Sequence, residues 1–470
     1  MSKYGRATPD LFQRRVQGAL VAGAVGDALG WITEFERSPE DLQRRYGVAQ
    51  VADFVTWSKR VGGRFHGYTD EIRPGEYSDD TQLMLCTARC ISDQGCFDVA
   101  RFTEIEFPAW LDYARGAGST VRNAAKAIQR KKATWYNNFF RYTVRGKRTD
   151  CRDAGANGAA MRIAPIALAH CGWSGQVARD IWSNTIISHG HPRAIWGALI
   201  HGCALNTLLT ATESFETSSF IEDMAMFVRS LAIPQDEHIH AWMDTWDAER
   251  GSRKTFREAF EDTREEAIEQ LRMVYRAVRD SMPITSVLTK LGCFSPTTRS
   301  SGLGTVLAGM FFFAHTPDQV EEVIANAVNA VGTDTDSIAA FAGNLAGCLN
   351  RIEAVPQRWR DGLQDSPYLM HLGERLAAIA HRVSPIPFDE RQYLHEEDNK
   401  GHTPQFRQGE YVHHRALGHG RIDAVERQTT PNGREVLLVR VSFDQGQSAK
   451  FVIRDMNRSP LLIPVQSRLL

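Results

Sequence analysis

The stretch Gly75–Leu85, GEYSDDTQLML, sets an oxygen-rich cluster, Ser78-Asp79-Asp80-Thr81, directly against an apolar run with helical spacing. Adjacent carboxylates repel each other and are costly to desolvate, so their place beside a core element calls for a compensating cation. Taken alone, an Asp pair before a helix is most often a solvated N-cap. A second cluster shifts that balance. Val331–Asn350, VGTDTDSIAAFAGNLAGCLN, carries Asp334, Asp336 and Ser337 at the mouth of another apolar helix built from small residues. Carboxylate and hydroxyl oxygens without nearby Cys or His suit Mg²⁺, Mn²⁺ or Ca²⁺ better than zinc. Folded together, the two clusters can hold a pair of cations about 3.5–4 Å apart, the spacing of two-metal catalytic centres.

Length and composition bound the rest. The 470 residues suffice for one large domain or two unequal ones. A formal charge of −1 argues against the whole chain acting as a polyanion binder. Eight scattered cysteines form no CxxC and no zinc-type spacing, which fits reduced thiols in a cytoplasmic protein. The N-terminus lacks a secretory h-region, and no apolar run approaches the roughly 20 residues that span a bilayer.

Thr8-Pro9 opens a helical pattern over Leu11–Ala28 that Gly18, Gly23, Gly26 and Gly30 punctuate. Each glycine costs up to about 1 kcal/mol against alanine, so close approach of another backbone is the expected compensation. Asp27 lies on this crowded segment, and Glu34 follows where the pattern gives out. Residues 36–74 read as an irregular excursion. Gly116 and Gly118, ahead of Ser119 and a helix start, form a turn that can offer backbone N–H groups to a phosphate, although an ordinary interhelical turn looks the same. The basic and aromatic segment 130–148 reads as an exposed loop with its rings tucked back on the core, or as a grip on a charged partner. Asn157-Gly158, with Met161 and Arg162 behind, makes a crowded loop able to pass close to a ribose. His189 and His191, two residues apart before a proline, do not share a helix face and are not read as a metal pair. Helical periodicity continues to about residue 382, with a further capped helix expected from Thr316-Pro317.

Past Pro387 the pattern changes. A polar linker leads to short alternating segments at 410–413, 420–425, 435–443 and 449–453, which predict a small antiparallel barrel. The expected domains are an all-α body at 1–385, a linker at 386–405 and a small SH3-like β-barrel at 406–470. Residues 401–470 hold ten Lys/Arg against six Asp/Glu, a local balance of +4, so nucleic-acid contact, protein docking and a purely structural role all stay open.

In order and spacing, GALVAGAVGDALGWITEF, YSDDT, GAGSTVRNA, NGAAMRIAPIAL, SHGHPRA and GTDTDSIAAFAGNLAG resemble the ADP-ribosylglycohydrolase family over roughly residues 10–380. The resemblance implies an all-α fold, a binuclear Mg²⁺ centre (Mn²⁺ also possible) and hydrolysis of an ADP-ribosyl linkage. It implies Ser78, Asp79, Asp80, Asp334, Asp336 and Ser337 as metal ligands and Glu34, Asp79 and Asp80 as catalytic candidates. Asp27, Gly116, Gly118, Ser119, Asn157, Gly158, Met161, Arg162 and His189 match the substrate side. Ala156 departs from the family's usual Gly at that place, and segment 130–148 and the C-terminal strands look like additions. The expected substrate is ADP-ribosylated protein, with arginine favoured. A role against an ADP-ribosylating toxin is one expectation, with the added segments docking target or toxin. Competing expectations are hydrolysis of O-acetyl-ADP-ribose, ADP-ribosyl-serine or ADP-ribosylated nucleic acid, and a non-catalytic protein that binds ADP-ribose or a toxin.

Overall fold

The computed structural model describes residues 8–144, 146–211, 215–249, 253–383, 406–454 and 462–465. Its principal helices are α1 (Pro9–Gly30), α2 (Asp79–Arg89), α3 (Ser119–Ala127), α4 (Pro192–Leu209), α5 (Phe256–Arg279), α6 (Gly302–His315), α7 (Val320–Val328), α8 (Thr335–Asn350) and α9 (Ser366–Ala380). The mostly-α class read from the sequence is the class observed. No helix of the described residues is long and apolar enough to cross a membrane.

At the centre, α1 lies along α8 and α9, and α8 is flanked by α6, α7 and α4. The glycines of α1 explain this closeness. A Cβ on Gly26 would meet the Ala339 carbonyl oxygen at 2.2 Å, and one on Gly30 would meet the Asp336 Cα at 2.6 Å. The backbones therefore touch where side chains normally intervene, and α1 is buried nearly all round from Val16 onward. The Oγ of Thr8 accepts from the Leu11 amide and starts α1 ahead of Pro9.

Several boundaries differ from the sequence reading. α7 begins at Val320 and not at Thr316-Pro317, because Thr316 makes no N-cap bond and Gln319 occupies the N-cap position. The run from Val99 to Trp110 is helical throughout but passes through a π turn at Phe102–Glu106. The excursion at 36–74 contains an antiparallel hairpin, β1 (Trp57–Val61) with β2 (Tyr68–Ile72). Segment 130–148 contributes β3 (Arg141–Val144), which pairs with β4 (Lys147–Asp150). Phe140 and Tyr142 are buried and Phe139 stacks on Trp242, so the rings do tuck back on the core.

The C-terminal strands are β5 (Tyr411–His414), β6 (Gly418–Thr429), β7 (Glu435–Phe443), β8 (Ser448–Ile453) and β9 (Ile463–Val465). They form one antiparallel sheet in the order β8-β7-β6-β5-β9. Among the described residues β8 and β9 do not pair, so the sheet is open and the expected closed barrel is corrected. The expected linker, 386–405, lies outside the described residues. The sheet packs tightly on the helical body: Phe451 sits 5.9 Å from the Tyr113 ring, and Lys450 donates to Asp70 at 2.5 Å. Arg89, fully buried and forked onto Glu106, also donates to Gln447 of the β7–β8 turn.

Replacing Gly26 with Ala gains at most about 1 kcal/mol of helix propensity, while the clash with Ala339 works against it. Gly26→Ala is expected to lower stability by roughly 1–3 kcal/mol, as overpacking does. A denaturant midpoint unchanged from wild type would contradict the close approach described here.

Candidate active site

The two acidic stretches, distant in sequence, meet at one end of α1. The Ser337 hydroxyl donates to Asp80 at 2.6 Å, joining the start of α8 to the start of α2. The carboxylates of Glu34, Asp334 and Asp336 offer oxygens that all lie within 4.8 Å of one another. Glu34 is brought there by the α1 terminus: the Thr33 hydroxyl donates to that of Thr335 at 2.8 Å, and Thr335 in turn donates to the Gly30 carbonyl. Arg299 holds the Glu34 carbonyl from outside at 2.6 Å. Asn157 donates to Asp334 at 3.0 Å, so the small-residue loop also belongs to the cluster.

Asp27 has a different place from the other acids. It accepts from the amides of Ser78 and Thr81 and from the Thr81 hydroxyl at 2.6 Å, bracing the first turn of α2 from beneath. Ser78 is the N-cap of α2, its hydroxyl accepting from the Asp80 amide. Gly116, with φ +86°, brings the 116–119 turn against the centre: a Cβ there would lie 2.8 Å from Asp79 Oδ1. Gly118 is the N-cap of α3 and Ser119 its exposed first residue, and no side chain caps that helix. Arg162 is fully buried, and its guanidinium is occupied by Asn184, Ser188 and the Gly158 carbonyl; it braces the loop from behind. Met161 is buried beside it. His189 takes a hydrogen bond with Ser188 through Nδ1, while its Nε2, near Gly158, has no protein partner among the described residues. His191 caps α4 instead, accepting from the Arg193 amide.

The electrostatics follow from crowding. Burial, then repulsion from Asp27, pushes Asp79 up to about 7. Burial, with Asp27 and Asp79 next, raises Asp80 well above the carboxylate range. Asp336 rises for the same reason, with Glu34 and Asp334 as neighbours, and Glu34 rises through burial and Asp334. Hard oxygen donors that repel one another in a buried site fit a divalent cation of the Mg²⁺ or Mn²⁺ kind. Burial, then Arg162, pushes His189 down to about 3, leaving a neutral imidazole.

Sequence reasoning passed over a cleft that comes up to this centre at Gly116 and Phe35. A cavity of about 830 Å³ is lined by the β1–β2 hairpin, the 111–116 segment, Arg122 of α3 and Val452 and Arg454 beside β8. Lys59 on β1 places its ammonium 3.9 Å from the Trp31 ring centroid, with Phe35 and Trp57 beyond. Burial pushes Lys59 down to about 8 against the pull of Glu34 and Asp70. The alternation Trp57-Ser58-Lys59-Arg60-Val61 was the available signal, short as it is.

A helical body that gathers carboxylates from two helix starts beside a sizeable cleft has the architecture of a hydrolase acting on a sizeable polar substrate. The model of one family, ADP-ribosylglycohydrolase, matches residues 8–386, and the chain belongs to that family, whose members are ADP-ribosyl hydrolases. The ADP-ribosylarginine hydrolase Tri1 of Serratia proteamaculans is 26% identical over 376 residues, covering 78% of this chain and 80% of its own. The ADP-ribosyl-[dinitrogen reductase] glycohydrolase of Rhodospirillum rubrum is 31% identical over 198 residues, 42% of this chain and 58% of its own. ADP-ribosylhydrolase ARH3 of Danio rerio is 24% identical, covering 75% and 87%. A solved structure, an ADP-ribosylglycohydrolase-related protein complex, shares the fold at a TM-score of 0.50 and 19% identity, covering 79% of this chain and 99% of its own.

The raised carboxyls carry a sign. An acid whose folded pKa lies above its unfolded value contributes stability that is present below the unfolded pKa and lost as pH rises through the folded one. For Asp79 that window runs from about 4 to about 7. In EDTA the thermal midpoint should therefore fall as pH rises across this window, and added Mg²⁺ should raise it more at pH 8 than at pH 5.5. A cation shift independent of pH would argue against these carboxylates as the binding groups.

Proposed function

We propose that this protein is a metal-dependent hydrolase that releases ADP-ribose from modified proteins, with ADP-ribosyl-arginine the preferred linkage. The observation that carries the reading is the convergence of Asp80 and Ser337 with the Glu34, Asp334 and Asp336 carboxylates beside a cleft able to take a nucleotide-sized ligand. Preference for arginine is supported by the hydrolases named Tri1, from Serratia proteamaculans and Pseudomonas putida, each aligned with about four-fifths of this chain.

Ser78, Asp79, Asp80, Asp334, Asp336 and Ser337 would hold two Mg²⁺ or Mn²⁺ ions. When bound, such ions supply positive charge and Lewis acidity at the ribose hydroxyls next to the scissile bond. The remaining work belongs to the chain. Asn157 fixes the orientation of Asp334, and Asp27 holds the amides of Ser78 and Thr81 so that α2 presents Asp79 and Asp80 in one geometry. The 116–119 turn leads into α3, whose uncapped first-turn amides are suited to the diphosphate. His189 Nε2, neutral and without a protein partner, is suited to a sugar hydroxyl. Glu34 adjoins Phe35 and Lys59, both on the cleft wall, and burial beside Asp334 raises its pKa, which favours the acid form that a leaving group needs.

Removing a ligand that provides several kcal/mol of charge stabilisation corresponds to about a hundredfold or more in rate. Asp80→Ala and Asp336→Ala should each lower Mg²⁺-dependent release of ADP-ribose from arginine-modified protein by at least about that factor. Release from serine-modified protein should stay at background. Full activity in either variant would remove the metal assignment, and a preference for serine would reassign the linkage alone.

A further inference from the structure

The sheet built from β5 to β9 lies beyond residue 386, where the match to the family model ends, yet it reaches the entry to the carboxylate centre. Gly75, Glu76 and Tyr77 lead directly into Ser78, Asp79 and Asp80 and belong to no helix or strand. Without a backbone ladder, their path is set by contacts with other segments.

Each of these residues is pinned. Gly75 has φ +76°, and a Cβ there would overlap the Gly362 carbonyl oxygen, while its own carbonyl accepts from the Gln364 amide at 3.0 Å. Glu76 is buried between two guanidinium groups, Arg115 at 2.7 Å and Arg440. The Tyr77 hydroxyl donates to Asp365 at 2.6 Å, and Asp365 accepts in turn from the Ser448 amide at 3.0 Å and the Ser448 hydroxyl at 2.7 Å. Arg440 and Ser448 both belong to the sheet, one on β7 and the other at the start of β8. The far end of α2 meets it as well, since Arg89 donates to Gln447.

Asp27 braces the first turn of α2 through Ser78 and Thr81, which leaves the approach to Ser78 to these other contacts. We propose that the C-terminal sheet positions the carboxylate centre: Arg440 through Glu76, and Ser448 through Asp365 and Tyr77, hold that approach so that α2 presents Ser78, Asp79 and Asp80 to the metal in one geometry. This rests on the metal assignment proposed above. Arg440 and Ser448 are positioning residues, because they act through Glu76 and Tyr77 and not as ligands. The charge of Arg440 separates position from field. Removing a positive charge near an acidic centre would by Coulomb attraction alone tighten Mg²⁺ binding, whereas loss of positioning weakens it.

The full-length protein and its Arg440→Gln, Arg440→Lys, Ser448→Ala and Tyr77→Phe variants can be titrated calorimetrically with Mg²⁺, with thermal midpoints measured in EDTA. Groups that orient metal ligands are worth about tenfold or more in affinity, so Arg440→Gln should bind Mg²⁺ about tenfold more weakly and Arg440→Lys should regain most of that loss. Midpoints in EDTA should stay near wild type. Ser448→Ala and Tyr77→Phe should each weaken binding, and the double variant should lose less than the sum of the two, because both act along one chain of bonds. Unchanged or tighter Mg²⁺ binding in Arg440→Gln would overturn this proposal and leave the proposed function standing. So would losses that track a lowered midpoint equally in Arg440→Gln and Arg440→Lys, or an additive pair of Tyr77 and Ser448 losses, either of which marks the contacts as structural only. Absence of Mg²⁺ binding by the wild type would overturn both this proposal and the metal assignment.

Discussion

The contact between α1 and α8 is the constraint on which the site depends. Glycines on one helix meet carbonyl oxygens of the other at distances that exclude a side chain, so the two axes are fixed relative to each other with little freedom to slide. Asp27 and Glu34 lie at the end of α1, and Asp334 and Asp336 at the beginning of α8. The same backbone contact therefore places both sets of acids. Thr33 and Thr335 complete it by closing the junction with a hydroxyl pair where the helices diverge.

Placing so many carboxylates together has a cost, and the structure distributes it unevenly. Asp27 is compensated within the protein by three hydrogen bonds from the first turn of α2. Burial raises Asp27 even so, against the pull of those bonds, while Asp79, Asp80, Asp336 and Glu34 carry mutual repulsion on top of burial. An arrangement that is unfavourable by itself is one that a divalent ion would relieve. Separating a braced acid from crowded ones is a task that hydrogen bonding, and not composition, accomplishes here.

The C-terminal sheet shares its core with the helical body. Phe451 and His414 pack on Tyr113, and Gln447 satisfies a donor of the buried Arg89 that Glu106 does not reach. The Asp70–Lys450–Arg115–Glu76–Arg440 network then stitches β2 and the segment before α2 to β7 and β8. Charges buried in such a chain are held by partners from both regions, so each region completes the polar satisfaction of the other.

The sequence by itself determined the local chemistry. Thr8-Pro9 starts α1, the glycines of α1 announce a close neighbour, and the two acidic helix starts mark the centre, because caps, backbone freedom and helical periodicity are properties of a few adjacent residues. The strands from 411 to 453 were legible for the same reason. Tertiary structure alone decided what depends on distant groups meeting. It gave Asp27 the role of brace, turned the guanidinium of Arg162 inward, opened the expected barrel, and set Lys59, Arg60 and Arg454 on one cleft. A hydrogen bond or a charge contact depends on distance in space, and segments hundreds of residues apart acquire that distance only when the chain folds.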